Sequence, residues 1–327
     1  MRRLSQAGFK NDFVRRAILP DWWDDTYAVQ PDLLPEIEVR VARFLRASLA
    51  DIRSPRTAIS PPHYANAQLR RVRDIDRDRL APAIHSALRI GAAVVRSLRA
   101  TVPAPQALPA DPLAWHAQLL PERGPIMLHH VLEDLWNRGI PVIPIDLLPS
   151  PSFQGIAGII EGRPVILLGH RHEEPGRVAF FVAHEGGHIA GGHCSPDQPV
   201  LDEAEDVVDE SDIEQSADQY AMRALAGADR FPEVTAGAEF KQLAKEAFYL
   251  ERTGGPEASS IIFSWAARTH DYTTATMAVK ALFRGTGARR QLRMHFDRHV
   301  DLDAANESDR ALLRCLSGDP EINETPY

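Results

Sequence analysis

The chain is 327 residues long, 44% hydrophobic and 25% charged, with a formal net charge of −8 at pH 7. That length holds two or three domains with apolar cores. There is no apolar run of 18 residues and no basic-then-apolar leader, which speaks against a membrane protein and makes the cytoplasm the expected location. Two distant cysteines, Cys194 and Cys315, give no disulfide framework and suit a reducing compartment.

Charge is unevenly divided. Residues 1–100 carry 18 Arg and Lys against 11 Asp and Glu, whereas residues 101–327 carry 19 against 34. A basic part of this kind can contact DNA or an acidic partner, but residues 70–79 mix both signs and read as a solvated helix face. From Leu4 to Ile52 the pattern is one of short helices. Phe9, Phe13, Val14, Ile18 and Leu19 mark a first face, Pro20-Asp21 breaks it, and residues 35–45 form a second helix. The arrangement is weakly like a helix-turn-helix, with no identifiable base-reading helix. Trp22 and Trp23 read as core or interface anchors rather than nucleic-acid stackers. Residues 1–100 are therefore expected to form a helical N-terminal domain, and 101–112, with four prolines, a linker.

Residues 113–230 carry the chemistry. A helix holding His129, His130, Leu132 and Leu135 leads to a strand over 139–145. Residues 156–160 and 165–168, separated by Glu161-Gly162-Arg163-Pro164, read as a hairpin. Pro175 then opens an amphipathic helix that Gly191-Gly192 ends. It contains Ala183-His184-Glu185-Gly186-Gly187-His188, an H-E-x-x-H motif. Helical spacing puts His184 and His188 one turn apart on one face, so that both imidazoles can reach one metal ion, with Glu185 at the edge of that face.

A third ligand is supplied by one of two candidates. Glu214, 26 residues after His188, fits a capping box with Ser211, yet it opens a helix whose apolar stripe runs through Ile213, Ala217, Tyr220, Ala221, Ala224 and Leu225 and ends at Gly227. Asp218 lies four residues on, where a carboxylate can take the second ring proton of a ligating histidine. Glu214 as a ligand is the favoured reading. The longer H-E-x-x-H-x-x-G-x-x-H pattern would need histidine at 194, where this chain has Cys194, and a thiolate there is the competing third ligand. His193 reads as a loop histidine near the pocket. Three protein ligands leave a tetrahedral zinc one open position for a water whose proton a neighbouring carboxylate can take.

Between the two helices lie Asp197, Asp202, Glu203, Glu205, Asp206, Asp209, Glu210 and Asp212. Such a run is usually a solvated loop, but it is anchored at both ends by the candidate metal helices, and an acidic rim would attract a basic substrate. Beyond Gly227 the chain is expected to be helical to about Leu316, with helices over 240–250, 258–268, 273–283 and 288–296. No catalytic motif is found there, and His295 and His299 read as surface histidines. Residues 231–327 are expected to serve as a sensor, docking or dimerisation domain.

The stretches Phe180 to His188 and Glu214 to Ala221 resemble the ImmA/IrrE metallopeptidases, whose two helices read F-x-x-A-H-E-x-G-H and E-x-x-A-N/D-x-F-A. The likeness covers residues 125–226 and departs from the pattern at Gly186, where a bulkier residue is usual. It implies an α+β, zincin-like core flanked by helical domains, and a zinc endopeptidase that cleaves a helix-turn-helix repressor in a stress or mobile-element response. It further implies His184, His188 and Glu214 as ligands of Zn2+ and Glu185 as the catalytic residue. Tyr220, His193, His170 and His172 are candidates for stabilising the oxyanion, Tyr220 more as packing. The alternative is a DNA- or partner-binding regulator, or a toxin–antitoxin component, whose peptidase-like core does not cleave; a homo-oligomer fits either reading.

Overall fold

The computed structural model describes residues 1–20, 22–62, 68–69, 74–149, 152–195, 200–202, 212–235 and 239–316. It is a mixed α+β structure, helical for the most part. Helices α1 (Arg2–Gln6), α2 (Asn11–Ala17), α3 (Leu34–Leu45) and α4 (Leu49–Arg53) precede strand β1 (Gln68–Leu69) and the long α5 (Asp74–Arg96). Next come α6 (Pro112–Leu119), α7 (Leu128–Asn137), β2 (Val142–Pro144), β3 (Gly155–Ile160), β4 (Arg163–Leu168), α8 (Pro175–Ala190), β5 (Val200–Asp202) and α9 (Asp212–Ala226). Helices α10 (Phe240–Arg252), α11 (Ala258–Thr269), α12 (Tyr272–Ala281), α13 (Ala288–His299) and α14 (Glu307–Leu313) follow. Among the described residues no helix is long and apolar enough to cross a membrane.

The sheet order is β1-β5-β3-β4-β2, with β3 antiparallel to both its neighbours and β2 parallel to β4. The hairpin turn is tighter than the sequence suggests. Glu161 and Gly162 both have positive φ, 51° and 75°, the backbone of a two-residue turn whose twist matches the strands. Arg163 and Pro164 consequently belong to β4, paired with Ile160 and Ile159. Proline is tolerated there because β2 reaches only Ile166 to Leu168, so no bond to β2 is lost.

Strand periodicity sorts the interior into two cores, one on each face of the sheet. Ile166 and Leu168 of β4 join a core built with α6 to α12, including Trp115, Leu132, Val178, Ala221 and Ile261. Val165 and Leu167 face the other way, into a core that combines Phe9, Phe13, Phe44 and Ile84 with Phe296, Leu312 and Leu313. The N-terminal helices therefore complete their interior with the sheet and with the far C-terminal end of the described chain. Arg96 of α5 reinforces this union by pairing with Glu161 of the hairpin turn at 2.7 Å and Asp309 of α14 at 2.6 Å. Arg40 of α3, itself buried, pairs with Glu36 and with Glu307.

The proline-rich stretch 101–112 is held against this body. Val102 and Leu108 are buried. The Gln106 amide donates to the Arg138 carbonyl, and guanidinium groups of Arg138 and Arg163 donate to the carbonyls of Ala107 and Pro103. Proline removes backbone donors that would otherwise need partners, which suits a segment lying extended on a surface. The helix-turn-helix likeness of the N-terminal region meets a five-residue α4 after α3. Trp22, Trp23 and Tyr27 cluster with ring centroids 6.2–6.3 Å apart, Trp22 half-exposed.

Candidate metal centre

Helix α8 begins with Pro175 and ends at Gly191, followed by Gly192 at φ 67°, as the sequence suggests. Its last turns carry His184, Glu185 and His188, which are 1%, 1% and 0% exposed; Glu214, in the first turn of α9, is 4% exposed. Bringing α9 close enough requires the absence of a side chain at Gly187, where a Cβ would stand 3.0 Å from Ala217 Cα and 3.1 Å from Tyr220 Cβ. Ala217 and Ala221 are fully buried on the facing side. Small residues on both helices thus bring Glu214 over the two histidines.

The resulting geometry is that of a metal cradle. The Nε2 atoms of His184 and His188 are 3.1 Å apart, and Glu214 lies 3.3 Å from His184 Nε2 and 3.6 Å from His188 Nε2. Donor atoms bound to a tetrahedral zinc at about 2.0–2.1 Å stand about 3.3 Å from one another. The chemistry of the donors agrees with the spacing. His184 Nδ1 faces the Asp218 carboxylate at 2.8 Å, which fixes its proton on Nδ1 and leaves Nε2 a lone pair. Burial lowers the His188 pKa, keeping that ring neutral even beside Glu214. Burial alone would raise the Glu214 carboxyl, but the ring nitrogens of His184 and His188 outweigh it and hold the group ionised. Two imidazoles and a carboxylate converge, a set that a divalent cation balances. Among the described residues these three are the group of His, Cys, Asp and Glu able to hold a metal.

Cys194, the competing third ligand, is outside that group. Burial and the charge of Glu185 push its thiol up to about 12, so without a cation beside it the thiol is protonated. His193 has a role its loop position only hinted at. Its Nδ1 lies 3.1 Å from His188 Nδ1, giving His188 an outer partner, as Asp218 does for His184. The ring lies over Gly191, where any Cβ would come within 2.6 Å of His193 Nε2.

Glu185 is seated against the sheet. A Cβ on Gly155, the first residue of β3, would collide with Glu185 Oε1 and lie 2.9 Å from its Cδ. The bare strand is what admits the carboxylate. Gly186, unusual in the resembled pattern, faces Trp115, which would lie 3.3 Å from a Cβ there. Trp115 is fully buried and donates to Asp134 at 2.8 Å. Helical periodicity points to neither contact, since it links neither Gly186 to Trp115, 71 residues apart, nor Trp115 to Asp134 on separate helices.

The remaining candidates separate. Tyr220 packs at a tilt on Trp115 with ring centroids 5.6 Å apart, and its hydroxyl donates to the Pro109 carbonyl at 2.7 Å, which makes it a packing residue. His170 and His172 form a second group beside Phe181 of α8. Burial pushes both down, His170 to about 3 and His172 to about 4. His295 and His299 are half-buried, and His299 stacks flat on Trp136 at 4.5 Å.

The acidic run between α8 and α9 falls largely outside the described residues. Its described strand, β5, pairs Asp202 with Gly155, beside the strand residue that backs Glu185. No family model matches the chain, nor does any curated protein or solved structure with which it was compared.

Proposed function

We propose that the chain is a zinc-dependent endopeptidase of the ImmA/IrrE kind, cutting a helix-turn-helix repressor and so relieving repression. The observation that carries this reading is the buried His184–His188–Glu214 cradle with its donor separations of 3.1, 3.3 and 3.6 Å. Bound there, zinc supplies a Lewis acid for the scissile carbonyl and lowers the pKa of water to about 7.

The protein's own part is positioning and proton transfer. His184 and His188 bind through Nε2 and Glu214 through its carboxylate. Asp218 and His193 hold the outer ring nitrogens, which sets the tautomer that leaves Nε2 free to bind. The Glu185 carboxylate, braced on Gly155, accepts a proton from the attacking water and returns it to the leaving amine. The repressor as substrate follows from the family resemblance, and the acidic run suits a basic, DNA-binding protein.

The test is co-expression with a repressor encoded next to its gene, followed by mass spectrometry. A discrete cut made by the parent and absent with Glu185→Gln is expected, because an amide cannot take the proton, while zinc content stays the same. Equal cutting by the two proteins would sink the mechanism.

A further inference from the structure

Two residues beyond β4, His170 sits at the sheet end where Leu168 pairs with Gly155, the glycine that seats Glu185. Its ring packs on Phe181 with centroids 5.1 Å apart. Phe181 and Glu185 are four residues apart on α8, so they rise from one face, about 6 Å apart along the axis. His170 is thereby carried to the neighbourhood of the catalytic carboxylate by two independent elements.

Its protonation follows from its contacts. The backbone N–H of His172 donates to His170 Nδ1 at 3.3 Å. A ring nitrogen that accepts carries no proton, so the neutral imidazole bears its hydrogen on Nε2. Burial first, then the charges of His172, Arg177 and Arg289, keep the ring neutral. Nε2 is itself buried and has no hydrogen-bond partner among the described residues. An unmet buried donor costs about 1–3 kcal/mol, a cost that vanishes when an acceptor arrives.

We propose that His170 is a catalytic hydrogen-bond donor whose Nε2–H holds the carbonyl oxygen of a bound peptide as negative charge develops on it. This rests on the peptidase reading. A neutral imidazole suits the role because it donates without surrendering its proton, and preorganised donors of this type are worth about 10²–10³ in rate. Tyr220, whose hydroxyl is committed to Pro109, leaves the role open.

Two variants separate the donor from the packing. His170→Phe keeps a ring against Phe181 and deletes the N–H, and His170→Gln restores one. The probe is a set of peptidyl phosphonamidates, whose tetrahedral phosphoryl oxygens mimic the charged oxygen, added to zinc-loaded protein. Binding about 10²-fold weaker in His170→Phe, partly regained in His170→Gln, with zinc content unchanged, is expected. In protein carrying ¹⁵N-histidine, the His170 ring should show the Nε2–H tautomer from pH 5.5 to 8 without titrating, and its N–H resonance should move downfield when the probe binds.

An Nδ1–H tautomer, a resonance that ignores the probe, or equal affinity in His170→Phe overturns the assignment and leaves the peptidase reading intact. If no phosphonamidate binds the zinc-loaded parent, the peptidase reading fails and the assignment falls with it.

Discussion

Single side chains decide whether the cradle holds metal. His188→Ala and Glu214→Ala should each lose zinc on dialysis, since each removes one of three donors. Cys194→Ser should keep it, because Cys194 stands outside the group of donors that converge. Asp218→Asn should retain the fold and weaken zinc by about 10–100-fold through the loss of the partner on His184 Nδ1. Elemental analysis reads all four, and loss of zinc in Cys194→Ser alone would reverse the ligand assignment. The convergence of His184, His188 and Glu214 was legible in the sequence because i, i+4 spacing and the opening of a helix are local facts. His193 as partner of His188 was not, because the bond depends on how the chain folds back past Gly191. Another buried histidine governs acid stability. His85 of α5 lies within the N-terminal core, 2.6 Å from the Phe44 carbonyl, and burial pushes it down to about 4. The unfolded chain takes up a proton near pH 6.5 that the folded one refuses, so stability is full above pH 6.5 and falls as pH drops toward 4. The loss amounts to about 3 kcal/mol at the lower end. Denaturation midpoints recorded from pH 7 to 4.5 should fall less steeply in His85→Gln than in the parent.

At the scale of elements, two glycines hold Glu185 and Glu214 in place for different reasons, and their alanine variants should differ accordingly. Gly155→Ala puts a methyl where the Glu185 carboxylate rests and leaves the ligands alone; zinc should be retained while cleavage drops by at least tenfold. Gly187→Ala instead wedges α8 from α9, moving Glu214 off the histidines. Zinc affinity should fall there, together with stability by about 1–3 kcal/mol from overpacking. Finding zinc lost in Gly155→Ala and kept in Gly187→Ala would contradict both placements. Helices α8, α9 and the four from α10 to α13 match their sequence periodicity within a few residues, since one amphipathic stripe defines each. The hairpin was readable too, although its turn proved to be Glu161-Gly162 alone, with Arg163 and Pro164 in the strand. Strand β5 was not legible, because three residues within an acidic run present no alternation; its pairing with β3 is a long-range choice.

For the whole molecule, sequence boundaries at 100, 112 and 230 suggest separable parts, yet the two cores are shared across them. Periodicity reports which face of an element is apolar and says nothing about which partner covers it. Segment 113–230 expressed by itself would leave Ile143, Ile156, Val165 and Leu167 uncovered, all of them buried in the intact chain. It should be insoluble or rapidly exchanging by amide hydrogen exchange, whereas the full chain should protect β3, β4 and α5 together. A well-protected, monomeric segment 113–230 would show that the shared core is dispensable.

The sharing of one core by Phe9, Phe13 and Phe44 with Phe296, Leu312 and Leu313 also sets an order of events during synthesis. Helices α1 to α3 wait for α13 and α14 to emerge from the ribosome before their interior can close, and Arg96 waits likewise for Asp309. Because the strands that seat Glu185 lean on that same interior, a growing chain cannot finish the cradle's support until residues 296–316 have been made. The His184–His188–Glu214 cradle therefore gains its backing only after α14 has been synthesised.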